Sequence, residues 1–399
     1  MIGVDDLLEL ILTQARPLPV ELLATGLSPR QVLAADLIAV DPVPPFDNSA
    51  MDGYAVRRTD LGHVEHFQVA GEVAAGQVTV RDVARGVAIA IATGAPLPKA
   101  CDAVVPLEQA QRSGDLVRFV GQVPEHGHVR RAGEDVPSGA IVARAGASLD
   151  LRLVALAEAA GVSRARVRRR PSVAVLTTGD ELIDPRADLG PGAVRDVNGL
   201  LLTDALRAMG VDSSFFGRFP DDPDRIATQL SARHLADAVV ITGGLGGGRK
   251  DVVTAAVKQA GTVRAFDVAM RPGKDFAFGR VAGKPVYCLP GNPGAALAAF
   301  HALVAPALRV LSGRPPHPPT IQAVLTEPLS NAGGRRHYVR ATLAWNGPTL
   351  AATPTGRQGS GLVSDIVAAD GLLVVPEATK RVETGDVLEV LPLKSFGGS

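Results

Sequence analysis

Three short apolar runs, each followed by a loop and a helical pattern, constrain the fold more than any other feature of the chain. The runs are Val173–Leu176, Asp237–Ile241 and Val286–Leu289. Continuous apolar runs are typical of strands that are buried on both faces, as in parallel sheets covered by helices. The pattern therefore predicts an α/β domain with a mostly parallel sheet, which we place at residues 171–313.

The segments that precede this domain predict two further parts. Apolar residues at helical spacing predict a helix that begins at Val4. A Ser-Pro pair predicts a second helix from Ser28, and a third is expected from about 149 to 160. We therefore expect a split helical domain at 1–45 and 141–170. Alternating apolar residues and frequent turns predict an inserted β domain at 46–140.

The last part of the chain follows a proline-rich linker. Gly313–Pro319 holds four prolines in seven residues, which indicates a domain boundary. Short alternating strands and an Asn-Gly turn follow it. These features predict a C-terminal β barrel at 319–399.

Composition and charge exclude several function classes. Lys and Arg total 41, Asp and Glu total 41, and aromatic residues make up 4% of the chain. A net charge of zero with few aromatics argues against a nucleic-acid-binding or membrane-surface protein. The N-terminus is acidic, and the most apolar stretch, 295–308, contains His301 and Pro306, so a buried helix is favoured over a membrane span. Two distant cysteines, Cys101 and Cys288, indicate free thiols in a reducing compartment. We therefore expect a cytoplasmic protein.

Three loops follow the predicted strands, at 177–181, 242–251 and 289–294. Open α/β sheets bind ligands outside the carboxyl ends of their strands. The second loop has five glycines among positions 243–248. Glycine allows a close backbone approach, and the N–H groups and the following helix end favour anions. The loop predicts a phosphate or oxyanion cradle, with a flexible surface loop as the alternative. It matches neither the Walker A nor the dinucleotide-binding pattern.

Carboxylates and cations near these loops suggest a metal and an oxyanion. Asp180, Glu181 and Asp251 follow strands, and Asp221 lies in a further loop. Mg²⁺ takes one or two carboxylates together with substrate oxygens, although each residue alone is more often a helix cap or a solvated charge. Arg271 and Lys274 flank a Pro-Gly turn. This pattern predicts an oxyanion site or an exposed hairpin equally well.

Other polar strings are less informative when taken alone. Asp47–Tyr54 and Arg130–Asp135 are typical of an Asx turn and of a solvated ion-pair turn, respectively. His126 and His128 have the spacing of ligands on one strand face, but no acidic or cysteine partner has matching spacing. A surface loop is therefore the favoured interpretation of these histidines.

Five strings taken together carry a resemblance. The chain contains, in this order, Asp47–Ala55, Thr93–Pro98, Arg130–Asp135, Thr178–Leu182 and Pro290–Pro293. With these strings the chain resembles the molybdopterin molybdenumtransferase family, which includes the C-terminal part of gephyrin, over about residues 4–393. The resemblance implies a split helical domain with an inserted β domain, a three-layer α/β domain and a C-terminal β barrel. It also implies a homodimer in which the α/β domain of one subunit and domains of the other form the active site.

The resemblance further implies an activity and its residues. Molybdate would be inserted into adenylylated molybdopterin, with Mg²⁺-dependent cleavage of the linkage to AMP. Partners would include a molybdopterin adenylyltransferase and molybdoenzyme acceptors. The implied catalytic residues are Asp52, Asp135, Glu181 and Asp251, and Mg²⁺ would be held by Glu181, Asp221 and Asp251. Molybdate would be bound by Arg271 and Lys274. The implied cofactor-binding residues are Thr93, Arg131, Gly243, Gly244, Gly246, Pro290, Gly291, Asn292, Pro293 and Ser360.

Two loops depart from the pattern of the family, and in the second of them Arg271 stands where a lysine is usual, which keeps the charge but changes the geometry. Gly246 stands where a serine is usual, and Asp275 stands where a proline usually follows the lysine. Asp275 adds a negative charge beside the predicted oxyanion site. These departures leave two alternatives open: an adenylyltransferase- or pyrophosphatase-like paralogue, and a non-enzymatic cofactor carrier or scaffold.

Overall fold

The computed structural model describes residues 1–27, 30–77, 82–124, 127–232, 236–246 and 251–393. The chain divides into two compact units, one formed by Met1–Glu21 with Arg168–Ser399 and the other by Leu22–Val167.

The α-helices in the described residues are α1 (Val4–Leu12), α2 (Leu151–Ala159), α3 (Asn198–Ala208), α4 (Pro223–Ala232), α5 (Val252–Ala260), α6 (Pro293–Ala299), α7 (Ala305–Leu311) and α8 (Val363–Ala368). The strands are β1 (Val20–Ala24), β2 (Leu37–Ile38), β3 (Asn48–Ser49), β4 (Gly53–Val56), β5 (Phe67–Val73), β6 (Val87–Ile91), β7 (Ala103–Pro106), β8 (Ala110–Ser113), β9 (Leu116–Phe119), β10 (Val129–Arg130), β11 (Ile141–Ala143), β12 (Arg164–Arg168), β13 (Ser172–Thr178), β14 (Leu182–Ile183), β15 (Val194–Arg195), β16 (Asp212–Phe219), β17 (Ala238–Thr242), β18 (Gly261–Asp267), β19 (Met270–Arg271), β20 (Asp275–Val281), β21 (Lys284–Leu289), β22 (Ile321–Leu325), β23 (Leu329–Ser330), β24 (Arg336–Asn346), β25 (Thr349–Pro354), β26 (Gly371–Val375), β27 (Arg381–Val382) and β28 (Val387–Pro392).

The first unit is built on a six-stranded sheet in the order β16-β13-β17-β21-β20-β18. The first four of these strands are parallel, β20 runs antiparallel to them, and the edge strand β18 pairs antiparallel with β20. Alternate residues of β13 enter two different cores. Val173 and Val175 face one core, while Ala174 and Leu176 face the other. Helices cover both faces, so the predicted three-layer α/β domain with a mostly parallel sheet is confirmed.

One face of this sheet packs against the most apolar helical stretch of the chain. Pro293–Leu311 is long and apolar enough to cross a membrane by length and composition, but 83% of its most apolar window is buried inside the fold. It comprises α6, a π-helical turn at Phe300–Val304 and α7. The stretch is a core helix of the α/β domain, as its alanine content predicts.

The predicted C-terminal β barrel is also confirmed. Strands β24, β25, β22, β28 and β26 pair in that order, and pairing of β24 with β26 closes the barrel. Its interior is filled by one aliphatic cluster that includes Val339, Leu373 and Val390. Closure removes exposed strand edges, which is how small barrels avoid edge-to-edge association.

The second unit contains a six-stranded sheet in the order β7-β4-β6-β5-β9-β8. Two apolar clusters pack on it, one around Ile89 and Val104 and one around Phe67 and Val117. A third cluster, which includes Leu33, Leu149 and residues of α2, forms a separate core in this unit.

The structure departs from the sequence-based prediction in the split helical domain. Helix α1 packs within the first unit, because Leu7 and Ile11 join the core of the α/β domain. Ser28, where a second helix was predicted to begin, lies outside the described residues. Nearby, Arg30 has a φ of +67° and Val32 forms an isolated bridge with Ser148, so extended pairing replaces the predicted helix there.

Candidate active site

The three predicted loops of the α/β domain begin side by side at the carboxyl edge of the sheet. Thr177 is in register with Thr242, which in turn is in register with Leu289. The backbone N–H of Gly243 donates to the Leu289 carbonyl at 3.2 Å. A Cβ added to Gly291 would lie 3.4 Å from the Gly243 Cα. The parallel pairing therefore brings the second and third loops into contact, as expected for an open α/β sheet.

The start of the glycine loop (242–251) approaches the end of β13 too closely for any side chain. Gly243 and Gly244 have φ values of +100° and +61°. A Cβ on Gly243 would lie 2.1 Å from the Thr178 carbonyl oxygen, and one on Gly244 would lie 2.9 Å from Thr178 Oγ1. Both positions therefore require glycine. Gly246 has no atom near its Cβ position, and Gly247–Lys250 lie outside the described residues.

A buried amide, which the sequence analysis missed, holds the third loop. Asn198, the first residue of α3, donates from Nδ2 to Thr242 Oγ1 at 3.0 Å and to the Gly291 carbonyl at 2.7 Å. Thr242 Oγ1 donates to the Pro290 carbonyl at 2.7 Å. These bonds fix the backbone at the start of the loop. Nothing in the local sequence marks this asparagine, which is the first residue of a helix and whose bonding partners lie far along the chain.

The N-terminus of α6 is covered by a loop of the C-terminal barrel. The backbone N–H of Gly294 donates to the Ser360 carbonyl at 2.8 Å. Arg340, which is 2% exposed, donates from Nη2 to the Gly359 carbonyl at 3.0 Å and lies 3.8 Å from Asp365. Burial lowers the pKa of Arg340 from its usual value. The structure thus joins Ser360 to the Pro290–Pro293 loop and adds Arg340, which the sequence analysis missed because it lies mid-strand.

The other members of this loop take defined positions. Pro293 stands at the start of α6, where its missing N–H carries no cost. Asn292 precedes it at the N-cap position, with no side-chain cap bond. A Cβ on Gly361 would lie 3.8 Å from Asn292 Oδ1, which again places the barrel loop against this helix end.

The predicted metal ligands lie around the same edge but do not form a ready-made site. Asp251 caps α5, since its Oδ1 accepts from the Thr254 N–H at 3.1 Å. Asp221 donates its N–H to Asp180 Oδ1 at 2.9 Å. Glu181 is exposed. Among the described residues, no group of three His, Cys, Asp or Glu side chains could hold a metal ion.

Asp251 acts electrostatically on Cys288, which lies near the end of β21. Burial raises the pKa of the Cys288 thiol, and the negative charge of Asp251 raises it further. Cys288 and Cys101 are buried free thiols, as predicted.

The two predicted molybdate ligands lie on one turn that packs against α6. A Cβ on Gly273 would lie 3.1 Å from the Ala295 carbonyl, so the turn approaches the helix backbone closely. Arg271 is exposed and stands in register with His337 of the barrel. Burial lowers the pKa of His337 to about 4, with Arg271 and then Arg340 as further causes. Lys274 Nζ lies 3.7 Å from Asp275 Oδ1, so the acidic neighbour partly offsets that cation.

The strings of the second unit also come together. Asp52 Oδ1 accepts from the N–H of Thr93 at 2.7 Å and from its Oγ1 at 2.9 Å. These two bonds lower the pKa of the Asp52 carboxyl below its usual value. The strings Asp47–Ala55 and Thr93–Pro98 are therefore adjacent in space.

The third string of this unit meets the first one. Arg131 Nη1 donates to Asp47 Oδ2 at 2.7 Å, and the Ala132 N–H donates to Asp47 Oδ1 at 2.8 Å. Asp135 is exposed, and its N–H donates to the Val43 carbonyl at 3.0 Å. Exposed ion pairs contribute little stability, and this one joins Arg131 to the first string rather than to an acidic side chain of its own turn, as the sequence predicts. The backbone bond fixes the turn. His128, in the same region, has a φ of +52°, whereas His126 lies outside the described residues.

Comparisons with known proteins match these parts of the chain. Residues 2–161 match the MoeA N-terminal region (domain I and II), and residues 174–310 match a probable molybdopterin binding domain. Residues 322–393 match the MoeA C-terminal region (domain IV). Molybdopterin molybdenumtransferase 2 of Mycobacterium tuberculosis is 35% identical over 392 residues, 95% of each chain. The chain belongs to the molybdopterin molybdenumtransferase family.

Further members of the molybdopterin molybdenumtransferase family agree over the same length. The protein of that name from Haemophilus influenzae is 32% identical over 373 residues, 92% of each chain. Among solved structures, the molybdopterin biosynthesis moea protein from Pyrococcus horikosii superposes with a TM-score of 0.86 at 30% identity. That match covers 99% of this chain and 100% of that one. Membership in the molybdopterin molybdenumtransferase family therefore extends over both units.

Proposed function

We propose that this chain inserts molybdenum into adenylylated molybdopterin and releases AMP. The observation that carries the proposal is the meeting of three strand-end loops and one barrel loop at a single sheet edge, in a chain of this family. There, the glycine loop brings its backbone groups outside the carboxyl ends of the strands, where anions bind in α/β sheets. A pyrophosphate linkage is an anion of the kind that such groups stabilise.

The cations on the turn before β20 suit molybdate, which is a substrate and a tetrahedral dianion. Arg271 is exposed, and Lys274 is partly neutralised by Asp275. We assign the main contact to Arg271, because a guanidinium offers several donors to an oxyanion and keeps its charge. In this proposal Asp275, which stands where the family usually has a proline, weakens the contribution of Lys274 but does not abolish molybdate binding.

The proposal includes a magnesium ion, which carboxylates of the chain would bind together with oxygens of the substrate. No set of three metal ligands stands ready in the described residues, but Mg²⁺ is commonly held by one or two carboxylates and by substrate oxygens. Glu181, Asp221 and Asp251 would hold it. The ion would neutralise charge on the linkage to AMP. The chain's own part is to keep Asp251 oriented through its cap bond to Thr254.

Asp52 and Asp135 belong to the proposed machinery in the second unit. Asp52 is held ionised by its two bonds from Thr93, so it serves as a fixed carboxylate rather than as an acid at neutral pH. We further propose that the chain is a cytoplasmic homodimer in which these residues serve the site of the partner subunit. It would take its substrate from a molybdopterin adenylyltransferase and pass its product to molybdoenzymes.

The test is a reconstituted assay with adenylylated molybdopterin, with and without molybdate and Mg²⁺. We expect AMP release that depends on both additions and that is lost in Asp251→Asn. Arg225→Gln, an exposed change on α4 outside the proposed site, is the matched control and should retain activity. Tight binding without AMP release at any molybdate concentration would instead support a cofactor carrier.

The same assay separates the remaining alternative. An adenylyltransferase-like paralogue would consume ATP and adenylylate molybdopterin in the absence of molybdate. A pyrophosphatase-like enzyme would release AMP at the same rate with and without molybdate. Either result would overturn the proposal, because the insertion reaction needs molybdate for turnover.

A further inference from the structure

A glutamine side chain holds the barrel loop 355–361, which follows β25. Gln358 Oε1 accepts from the backbone N–H of Arg340 at 2.9 Å. Its Nε2 donates to the Thr355 carbonyl at 2.6 Å and to the Arg340 carbonyl at 3.0 Å. Gln358 belongs to none of the five strings, and no role has been assigned to it above. All of these groups lie in the first unit.

The Gln358 amide replaces a bond of the strand ladder. Strands β24 and β25 pair antiparallel in register up to Ala341 and Pro354. At the next position the Thr355 N–H still donates to the Arg340 carbonyl at 2.8 Å. In a regular ladder the Arg340 N–H would donate to the Thr355 carbonyl in return, but the Gln358 amide binds both of these groups instead. The chain therefore leaves the sheet after Thr355 without an unpaired N–H on a buried strand.

The other end of the loop meets the N-terminus of α6. The Gly359 carbonyl accepts from Arg340 Nη2 at 3.0 Å, and the Ser360 carbonyl accepts from the Gly294 N–H at 2.8 Å. Gly294 lies in the first turn of α6, where an N–H group has no acceptor within the helix. Gly359 alone separates Gln358 from Ser360, so the bonds of the amide restrict where the Ser360 carbonyl can lie.

We propose that Gln358 is a positioning residue for the insertion reaction, because its amide sets the place at which the barrel loop meets the third strand-end loop. This inference rests on the proposed function, in which these two loops belong to the substrate site. Gln358 acts through Ser360 rather than on the reacting atoms. Loss of the amide donor should therefore weaken binding of adenylylated molybdopterin and leave the chemical step unchanged.

Gln358→Glu keeps the shape of the side chain and makes its donor depend on pH. A protonated carboxyl has one O–H donor and an acceptor oxygen, so it can take the place of the amide. The ionised form has acceptors only and faces the carbonyl oxygens of Thr355 and Arg340, which raise the pKa of the introduced carboxyl. The charged side chains around the loop are Arg340, Asp365 and the exposed Arg357. The cations oppose this rise, and Asp365, 3.8 Å from the Arg340 guanidinium, offsets part of their effect.

The kinetic test compares KM for adenylylated molybdopterin in the variant and in the wild type from about pH 5 to about pH 8. We expect a ratio near one at the acid end that rises roughly fivefold or more at the alkaline end, with kcat unchanged. A role in stability alone would reduce the amount of folded enzyme, so apparent kcat would fall and KM would not change. A ratio of one throughout, or a raised ratio that does not vary with pH, would overturn the proposal.

Gln322→Glu is the matched control, because it adds the same group at an exposed glutamine of β22 in the same barrel. Its KM ratio should stay near one at every pH. A rise equal to that of Gln358→Glu would show that added negative charge on the barrel, and not loss of the amide donor, weakens binding, and would overturn the proposal.

Amide hydrogen exchange, followed by NMR, tests the positioning without turnover. At about pH 8 the Gly294 amide should exchange roughly fivefold or more faster in Gln358→Glu than in the wild type, because its acceptor on Ser360 is displaced. The amides of β26, on the other side of β24, should keep their wild-type rates. Unchanged exchange at Gly294 would overturn the role of Gln358 whether or not the enzyme turns over. Faster exchange in the variant of an enzyme whose wild type releases no AMP would instead overturn the proposed function.

Discussion

The Asp52 carboxylate accepts two hydrogen bonds from Thr93, one from its backbone N–H at 2.7 Å and one from its Oγ1 at 2.9 Å. The two residues lie 41 positions apart in the chain. Hydrogen bonds to a carboxylate favour its charged form, and the backbone bond is the larger cause of the lowered pKa. A pair that looks unremarkable in each string alone therefore defines an oriented, ionised group in the second unit.

Replacing Thr93 by valine should raise the pKa of Asp52 part of the way toward its usual value. The substitution removes the Oγ1 donor and keeps both the N–H donor and the branched shape. Carboxyl-carbon NMR over a pH titration measures the change directly. Thr59→Val, at an exposed threonine of the same unit, is the control and should leave the Asp52 pKa unchanged. An unchanged pKa in Thr93→Val would show that the side-chain bond contributes nothing.

Two substitutions of Asp251 should both abolish activity but differ in their effect on stability. Asp251→Asn keeps an oxygen that accepts from the Thr254 N–H, and asparagine is as good an N-cap as aspartate. The free energy of unfolding, measured in urea, should therefore change by about 0.5 kcal/mol or less. Asp251→Ala loses the cap of α5, so its free energy of unfolding should be lower by about 1 kcal/mol. AMP release should be abolished in both. Retained activity in Asp251→Asn would remove this carboxylate from the proposed site.

Adding one methyl group at Gly294 should disturb the contact between α6 and the barrel loop. The new Cβ would lie 2.7 Å from Arg340 Nη1 and 2.9 Å from the Ser360 carbonyl oxygen, and backbone must move to relieve the second contact. Overpacking of this kind costs about 1–3 kcal/mol. We expect Gly294→Ala to lower the urea midpoint and to raise KM for adenylylated molybdopterin.

Gly190 provides the matched control for that substitution. A Cβ at Gly190 would meet no atom within 4 Å. Gly190→Ala should therefore leave both the urea midpoint and KM unchanged. If Gly294→Ala behaved in the same way, the barrel loop would not press on the helix end as the structure indicates.

Asp237 should make the stability of the first unit depend on pH in the acid range. It is 4% exposed, and burial raises its pKa, but bonds from Arg169 and Ser172 outweigh burial and lower it overall. A lowered folded-state pKa stabilises the fold above the unfolded-state value of about 3.9, and this contribution is lost as pH falls through the folded-state pKa.

The measurement is urea unfolding of the wild type and of Asp237→Asn from pH 7 to pH 3. Asn leaves the Arg169 guanidinium without its ionic partner, so we expect a loss of about 2–3 kcal/mol at pH 7. The difference between the two proteins should shrink below about pH 4 as the wild-type carboxyl is protonated. A difference that stays constant across this range would contradict the role of the ionised carboxylate.

Periodicity in the sequence predicts the elements whose burial is local. The run Val173–Leu176 has apolar residues for both faces of the sheet, and both faces are buried. Helix α1 was correctly predicted as a helix, but its partner was not, because an amphipathic pattern shows that a face is buried and not against what. Its residues Leu7 and Ile11 pack in the α/β domain, far along the chain.

Side chains that act across long sequence separations could not be predicted in the same way. Asn198 binds a threonine 44 positions away and a carbonyl 93 positions away. Arg340 is buried within a strand whose neighbours are apolar, and nothing in its local pattern marks it as the contact of the Gly359 carbonyl. The candidate site was found through loops at strand ends, because parallel topology alone brings those together.

In the proposed function, AMP release and molybdenum insertion are one reaction. The most direct test incubates the protein with adenylylated molybdopterin, Mg²⁺ and molybdate, and measures both released AMP and molybdenum that coelutes with the pterin. We predict equal amounts of the two at every time point, and neither product in Asp251→Asn. AMP release without molybdenum on the pterin would contradict the account.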